Sequence, residues 1–488
     1  MPAPNSQPDV RIGLDARTMF APQPRGTGRN LADAYRLLPA LRPEWEFVLY
    51  HQNPDASARA ASAPPAAAVH EDPSGDGTQG AMPALQAGMR GVEGAPDASP
   101  PPDSNASLHG GTPPNVRPRY IDIPGDRFGC WLNLRLPWAA WRDGVDLLHL
   151  PANAAPLWSP VPYVATIHDL APLRVPSEYT AAQARRFRGN VRRAARHAVH
   201  LIVPSAATRD ELCDEFRVDP GRITVVPWAA DETIAAAVRS PADRAAAISR
   251  VRSVHRLPQT WMLNFSGPSR RKNATGLISA LAQLPGSVRS QTCVVLVGCE
   301  PSGFRAELLT LAHRLRVGAQ VRLLGFVPHG DLPGLIAGAR AVLLPSLCEG
   351  FGLPILDAFA CGVPVLTSAL SSMPEVAGAA AIYCDPRAPS SIADGLRSLL
   401  DDHVAARLSR AGTERVRRFT WLRTARLMAG VYARCLAGAA ERGQRHSRWH
   451  SVWHSRPRLC VAAETGAGQP GPAGPHTRRS LTPLRAQT

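Results

Sequence analysis

Short apolar runs alternate with helical stretches along most of this 488-residue chain. "VRIGLDA" (10–16), "VDLLHL" (145–150), "YVATIHDL" (163–170) and "HLIVPS" (200–205) are continuously apolar, which predicts strands buried on both faces. A second series follows: "WMLNFSG" (261–267), "CVVLVG" (293–298), "VRLLGFV" (321–327), "AVLLPS" (341–346), "VPVLTS" (363–368) and "AAIYCD" (380–385). Between the runs, apolar residues recur three and four apart, as at Leu31, Ala34, Tyr35 and Leu38, which predicts helices with one buried side. Strand-then-helix alternation, twice over, predicts an α/β fold of two doubly wound sheets. The stretch 240–258 has charge and two prolines but no strand pattern, and reads as the joint. The expected domains are 9–245 and 255–420, followed by a helix over 421–440. Ligands of such sheets sit beyond the carboxyl ends of the strands, so a cleft between the domains is expected.

Two segments break the alternation. Residues 54–118 are Ala, Pro, Gly and Ser with almost no aromatic side chain, and residues 441–488 are similar. Such compositions bury too little to offset chain entropy, so both are expected to be disordered, the first as an insertion. The net charge of +16 is not a property of the tail alone: residues 440–488 carry +6 and 54–118 carry −4, leaving +14 on the rest. That basicity raises nucleic acid or an anionic membrane as a partner. No groove-reading or stacking motif supports nucleic acid, which is not expected. The nine cysteines form no CxxC pair, which argues against a zinc framework or a disulfide scaffold and for a reduced, cytoplasmic compartment. The opening residues lack the apolar core of a signal peptide, and no apolar run is long enough to span a bilayer.

Four stretches carry candidate chemistry. "PRGTGRN" (24–30) follows the first strand and opens a helix; Gly26 and Gly28 allow close backbone approach of an anion, although a plain strand-to-helix turn reads the same way. "TIHDLAPL" sets His168 and Asp169 at a strand end, as a functional or a structural pair. "GPSRRKN" contains Lys272, the only lysine beside 54 arginines. It is either residual chance or a position that needs a compact ammonium. With Arg271 it puts two cations just past a strand end, suited to phosphate oxygens. "PSLCEGFGLPILDAFACGVPVLTS" (345–368) is the richest. Its helix is expected to start at Pro354, with Glu349 before it and Asp357 in its first turn. Two carboxylates and free N–H groups then meet at one helix end, suited to a ligand with hydroxyls and a diphosphate.

"EGFGLPILDAFACGVPV" resembles the E-x7-E signature of glycosyltransferase family 4, retaining enzymes of the two-domain GT-B fold. "PRGTGRNL", "YVATIHDLAPL", "SGPSRRKNATGLISAL" and "LLGFVPHGDLPGLIAGARAVLLPS" are similar to further stretches of that family, and "FTWLRTARLMAGVY" to its terminal helix crossing back to the first domain. The resemblance implies that Lys272 and Arg271 neutralise the departing diphosphate and that Glu349 binds the transferred sugar. It implies that Asp357 holds the ribose, that backbone at Gly350, Phe351 and Gly352 contacts sugar and phosphate, and that backbone near Val327 reads the base. His168 would face the sugar, and Gly26 and Gly28 would leave room for phosphates. Asp357 stands where the family usually has Glu. The implied activity is transfer of a sugar, a hexose such as mannose, from a nucleotide-sugar donor to a hydroxyl acceptor, with no cofactor and no divalent metal. The family's commonest setting is cell-envelope polysaccharide or lipopolysaccharide assembly, with lipid-linked saccharides among the acceptors. A nucleotide-sugar epimerase on the same fold is the alternative.

One further helix bears on location. Residues 183–200 hold six arginines, and no acid occurs between Thr180 and Arg209. Phe187, Val191, Ala194, Ala195, Ala198 and Val199 share one side, while Arg185, Arg188, Arg192 and Arg196 line another. This is either a core-facing helix with a solvated basic side or a peripheral docking surface on the inner leaflet, to which "RFGCWLNLRLPWAAWR" (127–142) would add interfacial tryptophans.

Overall fold

The continuously apolar runs form parallel strands because both faces of each strand are covered. The computed structural model describes residues 10–21, 26–53, 113–122, 128–300 and 302–445. The first sheet contains β1 (Val10–Asp15), β2 (Trp45–His51), β3 (Val116–Tyr120), β4 (Leu147–Leu150), β5 (Tyr163–Thr166), β6 (His200–Val203) and β7 (Ile223–Val225), in the order β3-β2-β1-β4-β5-β6-β7. The second contains β8 (Met262–Phe265), β9 (Val294–Val297), β10 (Val321–Leu323), β11 (Ala341–Leu344), β12 (Val365–Ser368) and β13 (Ala381–Cys384), in the order β10-β9-β8-β11-β12-β13. Every pairing is parallel. The strand order reverses between β1 and β4 and between β8 and β11, and those two reversals open the crevices in which such sheets hold ligands.

All ten predicted strands are present, whereas β2, β3 and β7 were not foreseen. β3 lies inside the stretch expected to be an insertion, so that segment ends earlier than 118. Pro118 fits there because β3 is an edge strand, paired only with β2 through Phe47↔Val116 to His51↔Tyr120, and a missing N–H is tolerated on an edge. Residues 54–112 of the expected insertion lie outside the described residues.

The joint is a helix, Pro241–Val254, and it belongs to the second domain. Arg244 donates to the carbonyls of Ala337 at 2.6 Å and Cys361 at 2.8 Å, and Arg250 and His255 both bind the buried Asp331. The helices Pro241–Val254 and Leu332–Ala337 cross so closely that a Cβ on Gly334 would lie 2.3 Å from the Ala247 carbonyl oxygen.

The closing helix runs over Trp421–Arg445, past the expected end at 440. It returns to the first domain: Trp421 Nε1 donates to the Ala230 carbonyl at 3.0 Å and Thr424 Oγ1 to that of Pro227 at 2.6 Å. Further along, the Tyr432 hydroxyl lies 2.8 Å from His149 Nδ1, as does that of Tyr35, while His149 Nε2 meets Thr166 Oγ1 at 2.8 Å. One buried imidazole thus ties the first helix, β4, β5 and the closing helix together. The compact unit ends at Gly438; residues 439–445 continue the helix, and 446–488, most of the expected disordered tail, lie outside the described residues. Among the described residues no helix is long and apolar enough to cross a membrane.

Burial pushes His149 down from 6.5 to about 3. The unfolded chain therefore takes up this proton near pH 6.5 while the fold refuses it until about pH 3, so stability falls as pH drops through that window. Tyr432→Phe should cost about 1 kcal/mol and Tyr432→Ala about 3–5 kcal/mol in denaturant unfolding. Equal effects of the two would contradict the packing role.

Candidate active site

The site is built at the reversal in the second sheet, from the loops after β8 and β11. The chain leaves β8 through Ser266 and Gly267 and makes one 3₁₀ turn, Arg270–Lys272. It then passes through Asn273 in the left-handed conformation (φ 62°) into the helix Ala274–Gln283. Asn273 caps that helix by accepting from Gly276 N, and its buried Nδ2 donates to the carbonyls of Pro345 at 3.1 Å and Pro386 at 2.7 Å. Leu347 N donates to the Arg271 carbonyl at 2.7 Å. The turn with the two cations is therefore fixed to the loop that follows β11.

That loop delivers Glu349 into the middle of the turn. Its Oε2 accepts from Arg271 Nη1 at 2.7 Å, and its Oε1 from Lys272 Nζ at 2.5 Å and Ser346 Oγ at 3.0 Å. Its carbonyl accepts from Ser371 Oγ and Ser372 Oγ. Burial alone would raise the Glu349 carboxyl, but the ammonium of Lys272 and the guanidinium of Arg271 outweigh it and hold the group at about 2. The sequence reading gave the cations to a diphosphate and Glu349 to a sugar; the fold joins all three in one buried cluster with a net charge of +1.

Next to the cluster is a cavity of about 540 Å³, lined by Lys272, Phe265 and Gly267 of the second domain, Asp357, and Arg29 and Asp231 of the first. Asp357 lies one residue deeper in its helix than expected. Gly352, at φ 99°, is the N-cap, so the helix Leu353–Ala360 starts one residue before Pro354 and Asp357 falls in the second turn. It is therefore not a first-turn acid favoured by the helix end. Its Oδ1 accepts from the Asp231 backbone N–H at 3.0 Å. Burial, reinforced by the charge of Asp231, pushes its carboxyl up to about 7 against the pull of that hydrogen bond and of Arg29.

At Gly350 the two domains meet backbone to backbone. A Cβ there would sit 1.9 Å from the His168 carbonyl oxygen, and Thr208 Oγ1 faces the carbonyls of both residues. His168 itself is half-buried, stacked on Trp228 at 5.9 Å between ring centroids, and held low by burial. Its Nε2 donates to the Pro151 carbonyl at 2.5 Å, which fixes the tautomer, and its N–H binds Asn153 Oδ1. It does not line the cavity. Nor do Phe351, which packs edge-on against Phe419, or the buried Val327. Gly26 is the first residue of the helix Gly26–Leu41 and Gly28 is buried in its first turn; the cavity is lined by the next two residues, Arg29 and Asn30.

The sequence reading missed Arg29, Asp231 and Phe265. Arg29 stands within the quoted glycine stretch, but only the glycines were singled out. In the fold its Nη1 donates to His329 Nδ1 at 2.5 Å, and His329 Nε2 faces Thr233 Oγ1 at 2.9 Å and Asp231 at 3.3 Å. Among the described residues no group of three or more His, Cys, Asp or Glu is placed to hold a metal ion.

Residues 252–415 match the profile of the glycosyl transferases group 1, and residues 93–233 that of glycosyltransferase family 4. The chain is 30% identical over 332 residues to the O-antigen chain mannosyltransferase B of Escherichia coli, covering 68% of this chain and 84% of that protein. It is 30% identical over 315 residues to a glycogen synthase of Mycobacterium tuberculosis, covering 63% and 71%. Among solved structures, HepE from Anabaena in complex with UDP and glucose superposes with a TM-score of 0.57 at 19% identity, over 87% of this chain and 99% of that one. WaaG, a glycosyltransferase involved in lipopolysaccharide biosynthesis, superposes with a TM-score of 0.57 at 15% identity, over 86% and 99%. The two structures share the GT-B fold of this chain.

Two outcomes follow from the geometry. Gly350→Ala forces a methyl group against a backbone oxygen, so it should lower the unfolding temperature and loosen the domain contact, seen as faster amide exchange around His168 and Thr208. Asp357 has a folded pKa above its ordinary 3.8, so between about pH 4 and 7 stability falls as pH rises. Asp357→Asn should therefore melt higher than the wild type at pH 8 and about equally at pH 4; a lower melting point at pH 8 would contradict the assignment.

Proposed function

The chain belongs to family 4 of the glycosyltransferases, and on that premise we propose that it moves a sugar, with retention at the anomeric carbon, from a nucleoside-diphosphate donor to a hydroxyl of a growing cell-envelope saccharide. The observation that carries the reading is the buried Lys272–Glu349–Arg271 cluster at the carboxyl ends of β8 and β11, opening through Lys272 into the cavity that Asp357 also lines. A cavity of about 540 Å³ falls within the usual range for a small-molecule site.

The residues then divide the work. The nucleoside diphosphate enters the cavity with its phosphates toward Lys272 and its ribose toward Asp357. The ammonium swings from Glu349 Oε1 onto a phosphate oxygen, while Arg271 keeps its hold on Oε2. The Glu349 oxygen so released accepts from a hydroxyl of the sugar and fixes its ring. The bond between the anomeric carbon and the diphosphate oxygen breaks, and the acceptor oxygen bonds to that carbon on the same face. The acceptor proton passes to the departing phosphate, so no protein base is needed. Stabilisation is electrostatic: the ammonium, once on the phosphate, and the neighbouring guanidinium meet charge as it develops on the leaving group. This chemistry uses no metal, and a chelator should leave the rate unchanged.

The similarity to an O-antigen mannosyltransferase makes mannose the first sugar to test, with the acceptor on a lipid-linked saccharide at the inner face of the membrane. Incubation with labelled UDP-, GDP-, ADP- and dTDP-sugars should show one donor consumed in preference to the rest; no transfer and no hydrolysis with any would end the proposal. Lys272→Ala should lower turnover by roughly a hundred- to a thousandfold, because the leaving charge grows in the transition state. Asp357→Ala should instead weaken donor binding by roughly ten- to a hundredfold, the equivalent of one charged hydrogen bond, with a smaller change in turnover. Equal effects of the two substitutions on turnover would contradict the division of roles.

A further inference from the structure

The first domain carries an exposed apolar face that the transfer reaction does not use. In the continuous helical segment 128–142, Trp131, Leu132, Leu136, Ala139 and Ala140 are buried in the core. The opposite side bears Leu134, Trp138 and Trp141, exposed to 64%, 50% and 57%. The loop 151–162 adds Leu157 and Trp158, both 69% exposed. These five make up half of the ten large hydrophobic side chains exposed among the described residues, so they form a concentration and not the usual scatter.

The face is continuous with arginines. Asn133 Oδ1 accepts from Leu157 N at 2.8 Å, which ties the loop to the helical segment. Arg193 of the helix Ala181–His197 reaches the Ala155 carbonyl, and Arg186 lies over the Phe128 ring. Arg135, Arg142, Arg185, Arg186, Arg192 and Arg196 are exposed, and the three segments contain no acid. Arg142 sits over the Trp138 ring at 4.7 Å. Asp143, just beyond, is turned inward between Arg119 and Arg142, and Glu215 is paired with Arg188.

We infer that this face docks on an anionic lipid leaflet, with Trp138, Trp141 and Trp158 entering the headgroup layer and the six exposed arginines facing its negative charge. Amphipathic indoles beside arginines are the chemistry of a membrane interface. Asp122, beside Arg135, is exposed, but arginines outnumber acids here, which argues against a second copy of the chain, since a two-fold contact would set these arginines against themselves. The placement deepens the proposed function and, for the acceptor, rests on it: loop 151–162 begins at Pro151, whose carbonyl holds His168, so the docked loop leads from the leaflet to the strand end beside Gly350. The sequence reading named the arginine helix and the tryptophans of 127–142; the exposed Leu157 and Trp158 of the neighbouring loop were not foreseen.

The test is sedimentation of the full chain with vesicles of phosphatidylcholine alone or with about one-third phosphatidylglycerol. The wild type should pellet with the anionic vesicles, show a blue-shifted tryptophan emission, and be released as salt shortens the screening length. The triple variant Trp138→Ser, Trp141→Ser, Trp158→Ser should lower the partition by at least about tenfold, and Arg185→Ser with Arg186→Ser should remove the preference for anionic lipid. Unchanged thermal melting of the triple variant shows that it folds. Equal recovery with neutral and anionic vesicles, or a triple variant that binds like the wild type, overturns the inference. So does dimerisation through this face, or retention by an acidic protein without vesicle binding. Consumption of nucleotide sugar with a water-soluble acceptor should be the same in the triple variant and the wild type. Its absence in both would remove the proposed function and leave vesicle attachment standing.

Discussion

One carboxylate shared by two cations organises this molecule. Glu349 is buried, and a buried carboxylate persists in its charged form only when opposite charge and hydrogen-bond donors meet it. Lys272, Arg271 and Ser346 provide these within 3.0 Å. Their positions require a sharp turn after β8 and another after β11, locked together by Asn273 and by the Leu347–Arg271 backbone bond. The parallel sheet supplies the frame: the two loops leave adjacent strands at the point where the strand order reverses, and no other pair of loops in this sheet diverges around an open crevice.

The first domain completes the site from the other side. The left-handed Gly352, the bare Cα of Gly350 against the His168 carbonyl, and Asp357 accepting from Asp231 N all lie within nine residues of Glu349. Three of the contacts between the domains thus lie beside the charged cluster. The two carboxylates are shifted in opposite directions: Glu349 is held charged by its cations, while Asp357, with less compensation, is pushed towards its neutral form. Such separation of two nearby carboxylates is characteristic of functional sites, and at Asp357 it costs stability at neutral pH.

Much of this was legible in the sequence. Continuous apolar runs located ten of the thirteen strands, because strands covered on both faces carry an unbroken signal. β3 was lost because Pro118, Arg117 and Arg119 suit an edge strand and mimic a linker. The lone lysine among arginines drew attention to Lys272, which the fold sets against Glu349. Glu349 and its glycines were visible as a motif. The pairing of Glu349 with Lys272, 77 residues apart, was not. Nor was the share of Arg29, Asp231 and His329, which meet across 300 residues of chain through tertiary packing alone. The one-residue error in the start of the Asp357 helix has a local cause: Pro354 suits either of the first two helical positions, and only the φ of Gly352 decides between them.

The single lysine also gives the account its most direct test. Protein grown with ¹³C-labelled lysine carries the label at Lys272 alone, so its side-chain methylene beside the ammonium gives one carbon–proton resonance. This resonance should move and saturate on titration with the nucleoside diphosphate of the preferred donor, and Glu349→Gln should change its starting position, because Glu349 is its partner in the free protein. A resonance that stays fixed while the nucleotide binds, or one indifferent to Glu349→Gln, would contradict the claim that the Lys272–Glu349–Arg271 cluster is the diphosphate site.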